Sequence, residues 1–250
     1  MEPRRQYFHK MPLIQPTKIF NELDVKSQSL VVFSPYDWKL VCSMASIVPG
    51  SLQNLHFSSL QTVHINDAYI TLAGPAIGAP LASMVLEVLI AFGSYKIMAL
   101  GSCGSLTEKL RIGNFVIPEK AFPDEGTSSH YPLKGKKVSP SPQMLHRLKL
   151  LCGSQNQKWI SGKVWTTDAP FRETPQKIKK FQQKEAIAVE MELSALFKVG
   201  NFYGVEVGAL LVVSDELSSL HWKPGYKTPL YRSAFLKAAN IAFDVLTQLE

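Results

Sequence analysis

Cysteine is scarce. Cys42, Cys103 and Cys152 are odd in number, widely separated and without metal-ligand spacing, which excludes a disulfide framework and argues against a zinc site or any other bound metal. Also missing is any apolar stretch approaching the roughly 20 uncharged residues of a membrane span. The opening MEPRRQYFHK has no apolar signal-peptide region, so a soluble, cytoplasmic protein is expected. There is no internal repeat, low-complexity segment or Pro/Gly-rich linker. Acidic residues fall short of basic ones, 20 against 27. The resulting charge of +7 helps attract anionic ligands. The basic residues are scattered, however, with only modest clusters at Lys134-Gly135-Lys136-Lys137 and around Lys177, Lys179 and Lys180. With no recognition motif beside them, they read as solvated faces rather than a nucleic-acid surface.

What is present is enough for one large core. The 250 residues are 46% hydrophobic, in the size range of a single α/β domain. Strand-like runs recur at Ser29 to Phe33, Ala68 to Ala73, Lys96 to Leu100, Asn114 to Pro118 and Val205 to Val213. Helical patterns lie at Gly78 to Phe92, Ser141 to Cys152 and Pro229 to Leu249. Strands alternating with helices predict a mainly parallel sheet covered on both faces, forming one domain over residues 1–250 with 1–28 as an N-terminal extension. The turn-rich stretch from Phe122 to Lys137 is expected to be a long active-site or interface loop.

One short run raises a chemical question. AIAVEMELSAL, residues 186 to 196, holds Glu190 and Glu192 around the flexible Met191 inside otherwise apolar sequence. Ala186 to Val189 reads as a buried strand and Leu193 to Val199 as a helix, so the pair falls where a strand ends and a helix begins, an edge where α/β folds bind ligands. A solvated surface pair is the alternative.

Three further segments sit at strand ends. Gly74-Pro75-Ala76-Ile77-Gly78 closes a strand and opens a helix, with small residues that let a ligand approach backbone N–H groups, or that merely permit a tight turn. Gly101-Ser102-Cys103-Gly104 offers backbone amides and the Ser102 hydroxyl to an anion or a sugar, or is a glycine bend. Ser214 and Asp215 end an apolar strand; Asp215 fits either a helix N-cap or an acid that protonates a leaving group.

Taken in order, GPAIGAP, ALGSCGSL, LRIGNFVIPEKAF, EGTSSHY, WTTDAPFRET, AVEMELSAL and VVSDEL resemble the family of nucleoside phosphorylases and nucleosidases, from about Ser29 to the final helix. That resemblance implies a twisted mixed sheet, partly barrel-like and flanked by helices, and cleavage of a base from ribose through an oxocarbenium-like sugar. It implies that Glu192, with Met191 and Glu190 beside it, binds the ribose. It further implies that Asp215 protonates N7 of a purine with Ser214 orienting it, that Phe171 stacks on the base, and that Arg172 lies near its polar edge. His9 is similar to an N-terminal histidine that reaches a neighbouring subunit's ribose, which implies a homo-oligomer, a dimer or a hexamer. The implied co-substrate is inorganic phosphate, with no other cofactor, no nucleic acid and no membrane as partner.

The chain departs from the family at the second substrate. Phosphorylases of this type carry GDPxR after the first strand and an arginine just before the GS turn. Here FSPYDWKL stands at the first place, with Lys39 near the arginine, and Ala99 at the second. Lysine holds phosphate only as a point charge. The expected phosphate site is therefore Lys39, Ser102 and Gly101, and the leading expectation is a purine nucleoside phosphorylase with an altered anion site. Two alternatives are a nucleosidase in which Asp37 or another carboxylate positions water, and a nucleoside-binding protein without turnover.

Overall fold

The apolar runs pair at the centre of the molecule because both of their faces find cover. The computed structural model describes residues 12–132, 138–155 and 157–247. Within them lie strands β1 (Gln28–Val32), β2 (Ser46–Ile47), β3 (Gln53–Asn54), β4 (Ser59–Ile65), β5 (Ala68–Gly74), β6 (Lys96–Ser105), β7 (Phe115–Asp124), β8 (Trp159–Thr167), β9 (Ala186–Glu190), β10 (Glu206–Glu216) and β11 (Lys223–Pro224). The helices are α1 (Pro16–Ile19), α2 (Pro35–Met44), α3 (Ala79–Ala91), α4 (Pro142–Gly153), α5 (Pro175–Gln183), α6 (Leu193–Tyr203) and α7 (Pro229–Thr247). No helix among the described residues is long and apolar enough to cross a membrane.

All the strands join one mixed sheet in the order β11-β10-β7-β8-β9-β6-β1-β5-β4-β2, with β3 on β4. β10 also pairs with β6, so β6, β9, β8, β7 and β10 close into a five-stranded barrel with β1, β5 and β4 running off its side. The pairs β5–β1, β1–β6 and β6–β10 are parallel. By contrast β9 meets β6, and β7 meets β10, antiparallel. The fold is thus a single α/β domain of the kind the sequence implies.

Strand residues alternate between two cores, as a period of two requires. Val31, Ile97, Ala99, Val207 and Ala209 face α3 and α6, packing with Val85, Leu86, Leu89, Leu196 and Phe197. Leu30, Val32, Met98, Leu100 and Leu210 face α4 and α7, packing with Met144, Leu148, Phe235 and Phe243. A third cluster joins α5 to the barrel, where Trp165 stacks on Phe181 at 4.3 Å between ring centroids. At the start of the described chain, Phe20, Leu23 and Val25 pack against the first core. The expected N-terminal extension is therefore joined to the domain from Phe20 onward.

Several sequence expectations need correction. Phe122 to Lys137 is not one loop: β7 runs to Asp124 and a 3-10 turn covers Thr127–His130, with 133–137 outside the described residues. β10 extends through Ser214 and Asp215 to Glu216, and Asp215 pairs with Pro224, so no helix follows for Asp215 to cap. FSPYDWKL forms the first turns of α2, with Ser34 as N-cap accepting the Asp37 N–H at 3.0 Å.

Packing between α6 and β10 makes one sign testable. A Cβ on Gly200 would lie 2.3 Å from Val207 Cγ2 and 3.1 Å from its Cβ, and Val207 is buried and stiff at χ1. In an open helix Gly→Ala would stabilise by about 1 kcal/mol. Here overpacking wins, so Gly200→Ala should destabilise by roughly 1–3 kcal/mol in urea unfolding. A stabilised variant would show that α6 moves away from the sheet without cost.

Candidate active site

A break in strand pairing creates the crevice. β6 pairs with β1 through Lys96–Leu100 and with β9 only at Gly104 and Ser105. Between these, Gly101, Ser102 and Cys103 keep β10 on one side and have no strand on the other. This is a topological switch point, where open α/β sheets bind ligands. A side chain at Gly101 would strike Phe33, its Cβ 2.4 Å from Cδ2, so only glycine lets β6 pass Phe33.

At one side stand the two glutamates of the VEME run, each 4% exposed. Glu190 is consumed by structure. Its Oε2 accepts the N–H groups of Glu192 and Leu193 at 2.6 and 2.7 Å, and its Oε1 accepts the Thr166 hydroxyl. The carboxylate thereby caps α6 and ties β9 to β8. Glu192 accepts Gly78 N–H at 2.6 Å and Met191 N–H at 3.2 Å, joining the VEME junction to the first turn of α3. Met191 is half-buried beside it. Burial pushes both carboxyls above the usual range, and the Glu190 charge pushes Glu192 further.

Across Cys103 lies Asp215. The buried Cys103 thiol is raised by desolvation and then by the charges of Asp215 and Glu190, and the next residue, Gly104, pairs with Asp215 on β10 and with Val189 on β9. Asp215 Oδ1 accepts the Ser214 hydroxyl at 2.7 Å and Oδ2 accepts Trp222 Nε1–H at 3.0 Å. Desolvation raises this carboxyl, opposed by those two hydrogen bonds, the direction that favours the protonated form. On the loop after β8, Phe171 is 100% exposed and Arg172 is also exposed; neither packs against the crevice. The next residue, Glu173, is half-buried. Burial first, then the Asp215 charge, lift it to about 7, with Lys177 opposing.

The third end differs most from expectation. Lys39 is exposed on α2, and Ala99 is 1% exposed within the apolar core under α3 and α6. The group α2 delivers instead is Asp37, wholly buried. It accepts Tyr231 Oη–H at 2.9 Å on Oδ1 and Ser34 Oγ–H at 2.7 Å on Oδ2. Burial lifts it to about 6 against those two hydrogen bonds. Tyr231 also interacts with the Ser102 side chain, and Tyr226 Oη lies 2.6 Å from Ser34 Oγ. A cation does stand nearby: Lys227 Nζ sits over the rings of Tyr36 and Tyr226, 5.4 and 5.8 Å from their centroids, on a residue held at φ 68°.

The crevice thus gathers Gly101, Ser102, Glu190, Glu192, Ser214 and Asp215 from the sequence candidates. His9 lies outside the described residues. Sequence reading missed the roles of Thr166, Glu173, Trp222, Tyr226, Tyr231 and Lys227. Among the described residues no group of His, Cys, Asp and Glu could hold a metal ion.

A family model described as the phosphorylase superfamily matches residues 30–243. A guanosine phosphorylase of Halorubrum lacusprofundi is 22% identical over 203 residues, 81% of this chain and 84% of that one. A DeoD-type purine nucleoside phosphorylase of Brevibacillus brevis is 24% identical over 153 residues, 59% of this chain and 64% of that one. In structure, a uridine phosphorylase of Vibrio fischeri is similar with a TM-score of 0.78 at 21% identity, covering 96% of this chain and 98% of that one.

The raised carboxyls make stability depend on pH. Asp37, Glu190 and Glu192 bind protons more tightly folded than unfolded. Their contribution is full below the ordinary values of 3.8 and 4.5 and is lost as pH rises through the higher folded values. Urea midpoints should therefore fall between pH 5 and pH 8 on account of these groups, and Glu192→Gln should flatten that fall. An unchanged slope in the variant would mean that Glu192 is ionised in the folded protein throughout.

Proposed function

Because the chain belongs to the phosphorylase superfamily, we propose that it cleaves the N-glycosidic bond of a purine nucleoside, with inorganic phosphate as acceptor, giving free base and ribose 1-phosphate. The observation that supports this reading is the pair of desolvated carboxyls after β9 and on β10, the two strands that flank β6 at Gly104, with Glu192 anchored on Gly78 N–H and Asp215 held by Ser214 and Trp222. Glu192 accepts hydrogen bonds from the ribose hydroxyls and, when ionised, stabilises the positive charge that grows on the sugar. Met191 is the adaptable apolar surface under the ring. Asp215, desolvated and protonated, hands its proton to N7 of the departing base, with Ser214 fixing its orientation. Phe171 and Arg172 close on the base from the loop after β8. Phosphate lies over the Gly101–Ser102 backbone, with Lys227 rather than Lys39 as its cation.

The same reading makes the protein a pentosyltransferase without a further cofactor, working in the cytoplasm, where its three unpaired thiols would stay reduced. It assembles as a dimer or hexamer. The exposed apolar side chains of Phe57, Ile77 and Met84 support a covered face.

A second reading, a nucleosidase using water, is favoured by Asp37. A buried carboxylate repels phosphate but can hold and deprotonate water, and its value of about 6 suits a general base near neutrality.

Inosine, guanosine, adenosine, methylthioadenosine and uridine, each incubated with and without phosphate, decide between the two. Ribose 1-phosphate formed only with phosphate, and fastest from purine nucleosides, is the expected result. Free ribose at equal rates in both buffers would replace phosphate by water. Asp215→Asn should lower turnover of purine nucleosides by on the order of a hundredfold or more while binding is kept, and normal turnover would remove the acid role. Asp37→Asn separates the acceptors. It should lower the KM for phosphate by removing a negative charge beside it, whereas loss of hydrolysis on the order of a hundredfold would assign Asp37 to water.

A further inference from the structure

The acid end of the crevice already has an occupant. Trp222 Nε1–H donates to Asp215 Oδ2 at 3.0 Å, and the hairpin register explains how it gets there. β10 and β11 pair antiparallel, Asp215 opposite Pro224 and Glu216 opposite Lys223. Trp222, two residues before Pro224, therefore falls on the same face as Asp215. That face looks onto β6 and β9. A Cβ on Gly104 would lie 3.2 Å from Asp215 Oδ2 and 3.1 Å from Val189 Cγ1, so the carboxyl stands over β6 beside the strand that ends in the VEME run. Little else fixes the indole. Trp222 is 67% exposed and joins none of the three apolar clusters. The loop that delivers it turns through Leu220 at φ 62°, a left-handed conformation that a leucine adopts only at a cost.

What the indole offers there is the signature of the leaving group. A purine that has taken a proton at N7 presents a five-membered-ring N–H, on a fused bicycle of five- and six-membered rings, to an ionised Asp215. Indole is a bicycle of the same shape with one N–H in the same ring, and it can only donate. We propose that Trp222 fills the base subsite of the empty protein as a stand-in for the departing purine, so that a nucleoside reaches Asp215 only by displacing it.

The inference rests on the cleavage reading, which turns N7 of the base toward Asp215. The exchange is nearly balanced. Trp222 gives up one hydrogen bond that the base restores, and an indole already largely in solvent loses little apolar burial. Its effect is on populations: the apparent affinity for a base is scaled by the fraction of molecules in which Trp222 has left Asp215. After cleavage the same exchange runs in reverse. The returning indole competes with the product base for the ionised carboxylate and so favours release, a step that limits turnover in many enzymes.

Trp222→Phe keeps a ring but removes the donor, and Trp222→Ala removes both. Isothermal titration with free hypoxanthine, guanine and adenine should show tighter binding in both variants, by roughly tenfold, the size of one hydrogen bond to a charged group. The KM for inosine and the inhibition constant of the free base should fall with it. In the wild-type protein, base binding should open tryptophan emission further to acrylamide quenching, a change absent from Trp222→Phe. A mere support for Asp215 would behave otherwise. Its loss would lower kcat while KM and base affinity stayed unchanged or weakened, and that result would overturn the inference and leave cleavage standing. Tighter base binding by both variants of a protein that cleaves no nucleoside would uphold Trp222 and overturn the cleavage reading. No binding of any of the three bases to the wild type or to either variant would overturn the role of Trp222.

Discussion

Everything in the site follows from the divided pairing of β6. Along its whole length it holds β10, but it gives its other edge first to β1 and then to β9. The exchange closes the barrel, and it leaves a gap at the edge of β6, where Gly101, Ser102 and Cys103 have no second strand. Backbone groups on such an edge need another partner, which a polar ligand can supply. The flanking strands β1, β5, β9 and β10 then deliver Ser34, Gly78, Glu192 and Asp215 to its walls.

Burying four carboxyls around that gap would be prohibitive without donors, and helix N-termini supply many of them. Glu190 takes two N–H groups from the start of α6, Glu192 takes Gly78 N–H at the start of α3, and Asp37 lies in the first turn of α2 beside its N-cap Ser34. The starts of α6 and α3 are thus satisfied by acids that they in turn fix, whereas Asp37 takes the hydroxyls of Ser34 and Tyr231. Asp215, within β10, likewise relies on side chains, Ser214 and Trp222.

Much of this was legible in the residues. Long apolar runs flanked by glycine turns located β1, β5, β6 and β10, and the 3.6-residue pattern located α3, α4 and α7 within a residue or two. The strand-to-helix junction at Glu190 and Glu192 followed from the change of period. Other elements were hidden for physical reasons. β8, reading WISGKVWTT, mixes polar and apolar residues because it is only half-buried until Val164. β4 has an exposed face for the same reason. α2 begins with Ser34 and Pro35, signals that fit a turn as well as a helix start. The division of labour between the two glutamates was not readable, since adjacent acids of identical chemistry are separated only by which N–H groups reach them. Nor could spacing reveal Tyr226 and Tyr231, which meet Ser34 and Asp37 from nearly 200 residues away in sequence.

That distant segment couples the two ends of the crevice. Trp222 holds Asp215, Gly225 N–H holds the Ser214 carbonyl at 2.8 Å, Tyr226 holds Ser34 and Tyr231 holds Asp37. One strap of chain from Trp222 to Tyr231 therefore touches Asp215 at one end of the crevice and Asp37 at the other, with Lys227 on the segment between those contacts. A buried carboxyl is costly unless donors reach it, and the strap supplies one of the two that Asp37 has, the Tyr231 hydroxyl. Asp37 and Asp215 are thus joined through one segment of chain that hydrogen-bonds to both.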